Sequence, residues 1–181
     1  MPWKTLLVAM AMIPAALPTI AAKVAPAEPL DEHLENFRPF LGTTWRGVFA
    51  NSTPEKPVVD VMTYERALNG EAVRTFHSIN DGDYGGETLI YWDADRKTLA
   101  FFYLTTAGFR TEGTLTSEKN KYASLETVKG EANGITQVRG VAELLPTGRI
   151  LVMADYFKEG KWHPARKTEY VRDDTARVKF R

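Results

Sequence analysis

Residues 64–116 read YERALNG-EAVRTFHSI-NDGD-YGGETLIYW-DADR-KTLAFFYLTT-AG-FRTEGTLT. After a lead-in, this is a series of short β-branched and aromatic runs, each closed by a turn signal. Asn69-Gly70 predicts a two-residue hairpin turn, because both central residues take positive φ and Asn and Gly do so at least cost. Asp81-Gly82, Asp93-Ala94-Asp95 and Ala107-Gly108 repeat the signal at intervals of roughly 8–14 residues, the spacing of an all-β meander.

Working outward, the same pattern predicts ten strands, at 43–50, 58–67, 72–79, 86–92, 98–105, 110–116, 122–129, 136–145, 150–157 and 162–171. All connections are of hairpin length except 51–57, whose two prolines suit a longer loop. No segment of helical period interrupts the series, which excludes parallel βαβ crossovers. Strands joined in this way form an up-and-down sheet, and closure removes its exposed edges, so the fold expected is an all-β antiparallel barrel.

Before the strands, Leu30, Leu34, Phe37 and Leu41 fall on one face of a short helix that Pro39 ends. So short a helix does not hold itself together in water, and the mouth of the barrel is the surface for it. The segment 23–29 (KVAPAEP) reads as a proline-rich linker. Residues 1–22 read as a signal peptide: Lys4, an apolar run over 6–17 broken by Pro14, then Thr19-Ile20-Ala21-Ala22 as a small-residue cleavage region. The alternative is an uncleaved anchor, for which the run is short. The expectation is an exported protein, periplasmic or secreted, with no integral span after processing, a single barrel domain over 30–172 and a polar tail over 173–181.

Composition narrows the functions. The chain of 181 residues has 23 basic and 23 acidic side chains, so no overall field draws it to nucleic acid. The absence of cysteine excludes thiol catalysis, disulfides and Cys-based metal sites. No Ser elbow, Gly-rich phosphate loop or other catalytic pattern occurs, which favours a binding protein over an enzyme.

A barrel of this strand number encloses more space than small side chains fill, so inward polar and aromatic residues point to a ligand cavity. On the last strand Trp162, Pro164, Arg166, Thr168 and Tyr170 share the more aromatic face, which sends Arg166 inward. A guanidinium there needs a carboxylate, from a ligand or from the protein, with Glu112 and Glu87 as internal choices. Arg74 and Glu112 raise the same question, and Tyr91 and Tyr103 add hydroxyls. The ligand-binding set is therefore Arg74, Tyr91, Tyr103, Glu112, Arg166 and Tyr170. No two histidines have metal-ligand spacing, so no metal or cofactor is expected. His77 on its strand is the one weak candidate for an axial haem ligand. Strands 86–92 and 98–105 are apolar on both faces and need outer cover, from the helix, from a loop or from a second subunit in a homodimer.

Phe40-Leu41-Gly42-Thr43-Thr44-Trp45-Arg46-Gly47 resembles the L-G-x-W-x-G opening of the calycin-like barrels, a group that includes nitrobindin-like and fatty-acid-binding-like proteins. Ile90-Tyr91-Trp92-Asp93 followed by Ala107-Gly108 resembles a segment of a related uncharacterised bacterial family, DUF1579, with Tyr91 and Trp92 replacing its Gly and Tyr. The resemblance spans residues 37–172 and implies a calycin-like barrel. Fatty-acid-binding barrels carry an Arg-x-Tyr pair on the last strand for a ligand carboxylate; here Arg166 and Tyr170 stand at wider spacing. The resemblance supports the barrel and supplies no activity; with the N-terminal segment and the cavity residues, the expectation is an exported binder of a small molecule, an apolar one with an acidic head. It leaves open a cavity enzyme of isomerase or decarboxylase type, working through groups such as Arg74, Tyr103 and Glu112. It also leaves open a haem-binding barrel, or a solidly packed barrel, filled by Phe76, Phe101, Tyr103 and Trp162, that binds a partner.

Overall fold

The computed structural model describes residues 28–181; the signal-peptide reading and most of the linker lie outside them. The described residues form one closed antiparallel barrel of ten strands. These are β1 (Thr44–Val48), β2 (Val59–Ala67), β3 (Ala72–Ile79), β4 (Tyr84–Asp93), β5 (Thr98–Thr105), β6 (Arg110–Glu118), β7 (Lys121–Lys129), β8 (Gln137–Leu144), β9 (Ile150–Lys158) and β10 (Lys161–Arg172). Neighbours in sequence are neighbours in space, and β10 closes on β1. The β2–β3 turn is longer than two residues. Ala67 pairs with Ala72, and Leu68, Asn69 and Gly70 all take positive φ.

The N-terminal helix is a 3₁₀ helix, Glu32–Phe40, rather than an α-helix stopped by Pro39, which lies inside it. Asp31 caps it by accepting from the His33 backbone N–H at 2.8 Å. With three residues per turn, Leu34, Phe37 and Phe40 line up on one edge, and all three are buried. That edge plugs one end of the barrel. Leu34 and Phe37 pack with Val73, Ile90, Leu99, Phe101 and Leu115, and Phe40 packs with Trp45, Ile150 and Tyr170. Each fully buried side chain of this kind stabilises by about 1.5–3 kcal/mol. The Tyr122 hydroxyl donates to the Asn36 carbonyl and ties the plug to the wall.

On β10 the register shifts between Pro164 and Arg166, so Ala165 forms a bulge. The bulge corrects the inward face expected for this strand. Beyond it Arg166, Thr168 and Tyr170 point in; before it Trp162 and Pro164 point out, because one extra residue reverses the alternation. Trp162 lies outside under the Arg139 guanidinium, 4.5 Å from its ring centre, and Arg139 is ion-paired to Asp155. Proline is tolerated there because β10 meets β1 only at Tyr170–Arg172, which leaves the stretch around Pro164 with one neighbour.

The tail after β10 returns along the outside of the barrel. Asp174 accepts from the Thr44 backbone N–H, Lys179 donates its backbone N–H to Ser78, and Lys179 and Arg181 pair with Asp81 and Asp83. No helix among the described residues is long and apolar enough to cross a membrane.

Candidate functional site

The lumen is open, with a cavity of about 560 Å³. Phe101 and Tyr103 line it, whereas Phe76 and Trp162 lie outside, which removes the solidly packed interior. The two ends differ. Under the 3₁₀ helix the wall is apolar, with Phe37, Phe40, Ile90, Leu115 and Ile150. At the far end Asp60, His77, Tyr84, Tyr103, Glu126 and Arg166 converge from six strands.

Asp60, 1% exposed, is the hub. Its carboxylate accepts from the Tyr170 hydroxyl at 2.7 Å and from His77 Nδ1 at 2.9 Å, with an Arg166 guanidinium nitrogen 3.5 Å away. With Nδ1–H donated to Asp60, His77 Nε2 is the acceptor for the Tyr103 hydroxyl, 2.7 Å away. Tyr103 in turn meets the Tyr84 hydroxyl at 3.0 Å. A carboxylate, an imidazole and two phenols thus form a continuous chain. Both His77 nitrogens are engaged, so in this arrangement neither offers a lone pair to a haem iron. Among the described residues no group of three or more His, Asp or Glu side chains is gathered as a metal site.

Two glycines make the chain possible. Tyr170, Gly47 and Asp60 lie in one row across β10, β1 and β2. A Cβ on Gly47 would stand 2.7 Å from the Tyr170 ring, so only glycine lets that phenol lie across β1 to Asp60. In the same way a Cβ on Gly86 would come within 2.3 Å of the Tyr103 ring, which crosses β4 to reach His77.

Burial keeps the phenols neutral. It pushes Tyr64 up to about 12, and it also raises Tyr84, Tyr103 and Tyr170, with the Arg166 charge opposing it in each case. Glu126 is raised above the ordinary carboxylate value chiefly by burial; the Thr111 hydroxyl, donating at 2.5 Å, and the Arg166 charge pull the other way. Arg166 Nε is buried with no hydrogen-bond partner among the described residues, and its guanidinium carbon lies 5.4 Å from the centre of the Phe49 ring.

Of the residues expected at the site, Tyr103, Arg166 and Tyr170 lie at the lumen, and so does His77. Arg74, Tyr91 and Glu112 do not. Arg74 is on the outer face, ion-paired to Glu65 at 2.6 Å and Glu87 at 3.7 Å. Tyr91 stacks outside on Phe102 at 6.0 Å, and Glu112 pairs with Lys129 at 3.4 Å. The internal carboxylate beside Arg166 is Asp60, not Glu112 or Glu87, which face the other side of the sheet. Asp60, Tyr84 and Glu126 escaped the sequence reading, as did the two glycines, although a lone glycine inside a strand is a signal of close approach.

No family model and no curated protein matches the chain.

Proposed function

We propose that the chain is an exported binding protein that holds a small apolar molecule with an acidic head inside its barrel, as a distant member of the calycin-like barrels near DUF1579. The observation that carries the reading is Arg166: a guanidinium at the polar end of an otherwise apolar lumen, with Nε unpartnered among the described residues, Asp60 3.5 Å away and the second nearby carboxyl, Glu126, held toward its neutral form by burial. A ligand carboxylate there accepts from the Arg166 guanidinium and from the neutral Tyr84 hydroxyl, the Tyr103 proton being given to His77, while its chain runs toward Ile90 and Leu115. The cavity volume suits such a ligand, since small-molecule sites run about 300–1,000 Å³, and each methylene buried contributes about 0.8 kcal/mol.

The test is a fluorescence titration of the protein and of Arg166→Leu with a dansyl-labelled fatty acid and the matching fatty alcohol. The acid should weaken by about 2–5 kcal/mol in the variant and the alcohol should be unaffected. Equal loss for both, or no binding of either to the parent, defeats the reading.

A second reading rests on the Asp60–His77–Tyr103–Tyr84 chain, which can relay a proton between a buried carboxylate and a lumen hydroxyl. A cavity enzyme would use it to hold or move a proton on a bound carbonyl compound. His77→Gln separates the two: the binding reading keeps the acid bound in that variant, whereas turnover of any substrate would be lost.

A further inference from the structure

The outer faces of β4 and β5 carry apolar side chains, Phe102 and Leu104 among them, that are left exposed among the described residues. Phe102 is 41% and Leu104 59% exposed. The 3₁₀ helix closes the end of the barrel instead, and the C-terminal tail reaches the outer side of Gly85, at the start of β4, with Phe180. Charge is arranged unequally on the two flanks. On the β2–β4 side Glu65 and Glu87 share the single cation Arg74. On the β6–β7 side Lys129 pairs with Glu112, and Arg110 has no ion-pair partner among the described residues.

The register lines these groups up. Glu65, Arg74, Leu89, Phe102, Glu112 and Thr127 stand opposite one another in a single row across β2 to β7. A two-fold axis lying in the contact plane, parallel to the strands and between β4 and β5, maps this row onto itself in reverse. Leu89 then meets Phe102 of the second copy, and Arg74 meets its Glu112, each pairing occurring twice. In the adjacent row the same rotation sets Phe76 against Arg110 and Glu87 against Leu104 of the second copy, with Glu87 keeping Arg74 as its own ion-pair partner.

We propose that this face is the contact of a two-fold homodimer, with Leu89 and Phe102 at its centre and reciprocal Arg74–Glu112 pairs flanking them. The acidic flank of one copy lies on the basic flank of the other, and the cross-contact pairs form as Arg74 turns from Glu65 and Glu112 from Lys129. The inference is independent of the lumen and of what it holds.

Charge exchange tests it. The full-length protein, purified as its cell processes it, should sediment as a dimer. Arg74→Glu faces glutamate with glutamate twice, and Glu112→Lys faces cation with cation twice. Each variant alone should weaken the dimer by about 100-fold or more. Mixed in equal amounts, the two should form a heterodimer, because each unlike pair is then restored. Thermal melts check that the variants are folded; should either fail, Phe102→Asp alone should still give the monomer. A parent that is monomeric at every concentration, single variants that stay dimeric, or a mixture that stays monomeric would each overturn the proposal.

Discussion

The contact between Gly47 and Tyr170 allows the site's rigidity to be tested at one atom. Gly47→Ala brings a Cβ to 2.7 Å from the ring, so the phenol must swing away and Asp60 loses one of its two closest donors. We expect a loss of about 1–3 kcal/mol, measured by denaturant melts. In a cycle with Tyr170→Phe the two effects should be strongly non-additive, because both remove the same hydrogen bond; simple addition would mean that the ring does not move. Glu126 sets the pH response. Its raised pKa means that the folded protein takes up its proton more readily than the unfolded chain does. The stability linked to that proton is therefore greatest at low pH and is lost as pH rises from 4.5 through the raised value. Once ionised, Glu126 competes for Arg166, so affinity for the acid probe should fall over the same window and Glu126→Gln should flatten the profile. A Gln variant with the parent's pH dependence would detach Glu126 from the site. Arg166 and Tyr170 were legible because they share one face of the last strand, whereas Tyr103, on a strand apolar on both faces, was offered by its hydroxyl alone. Asp60 and Glu126 were not, since a lone carboxylate in a strand reads as a solvated one until its neighbours across the barrel are known. Parity misled at Tyr91 because β4 is apolar on both faces, and at Arg74 and Glu112 because their faces on β3 and β6 mix charged with apolar or small polar residues and gave no sign of which side faced in.

Among the elements, β10 departs most from its sequence pattern. Its ten-strand context was readable from turn signals, and the strand limits fall within a few residues of those expected. The bulge at Ala165 was not, although Pro164 inside a strand is the kind of residue that accompanies one. Deleting Ala165 should straighten the strand without turning it over, because Pro164 and Arg166 already face consecutive residues of β9, Asp155 and Ala154, so that Trp162 stays outside and Arg166 inside. Stability should change by about 1–3 kcal/mol, and iodide should quench the Trp162 fluorescence as in the parent, compared in a Trp92→Phe background. Quenching lost in the deletion would mean that Ala165 is not the extra residue that sets which side chains face the lumen. The 3₁₀ form of the N-terminal segment was equally hidden: spacings of three and four are both present in Leu30, Leu34, Phe37, Phe40 and Leu41, and packing on the barrel end selected the threes.

At the scale of the whole molecule the barrel has direction. One end is plugged by Leu34, Phe37 and Phe40, the other carries Asp60, His77, Tyr84, Tyr103, Glu126 and Arg166, and the cavity runs between them. Closure was legible because ten hairpin-linked strands leave two edges to satisfy. The polarity of the lumen was not, because it depends on which ends of six strands meet. That polarity makes the central claim one of orientation as well as binding. Isotope-filtered NOE spectroscopy of the protein with dodecanoate reads it directly, using protein labelled at the Ile and Leu methyls and ligand carrying ¹³C along its chain. The chain protons should show contacts to Ile90, Leu115 and Ile150, with those from the methylene next to the carboxylate confined to the Arg166 end. Contacts to the outer Leu104 and Leu125 methyls alone, or none at saturating dodecanoate, would contradict the account.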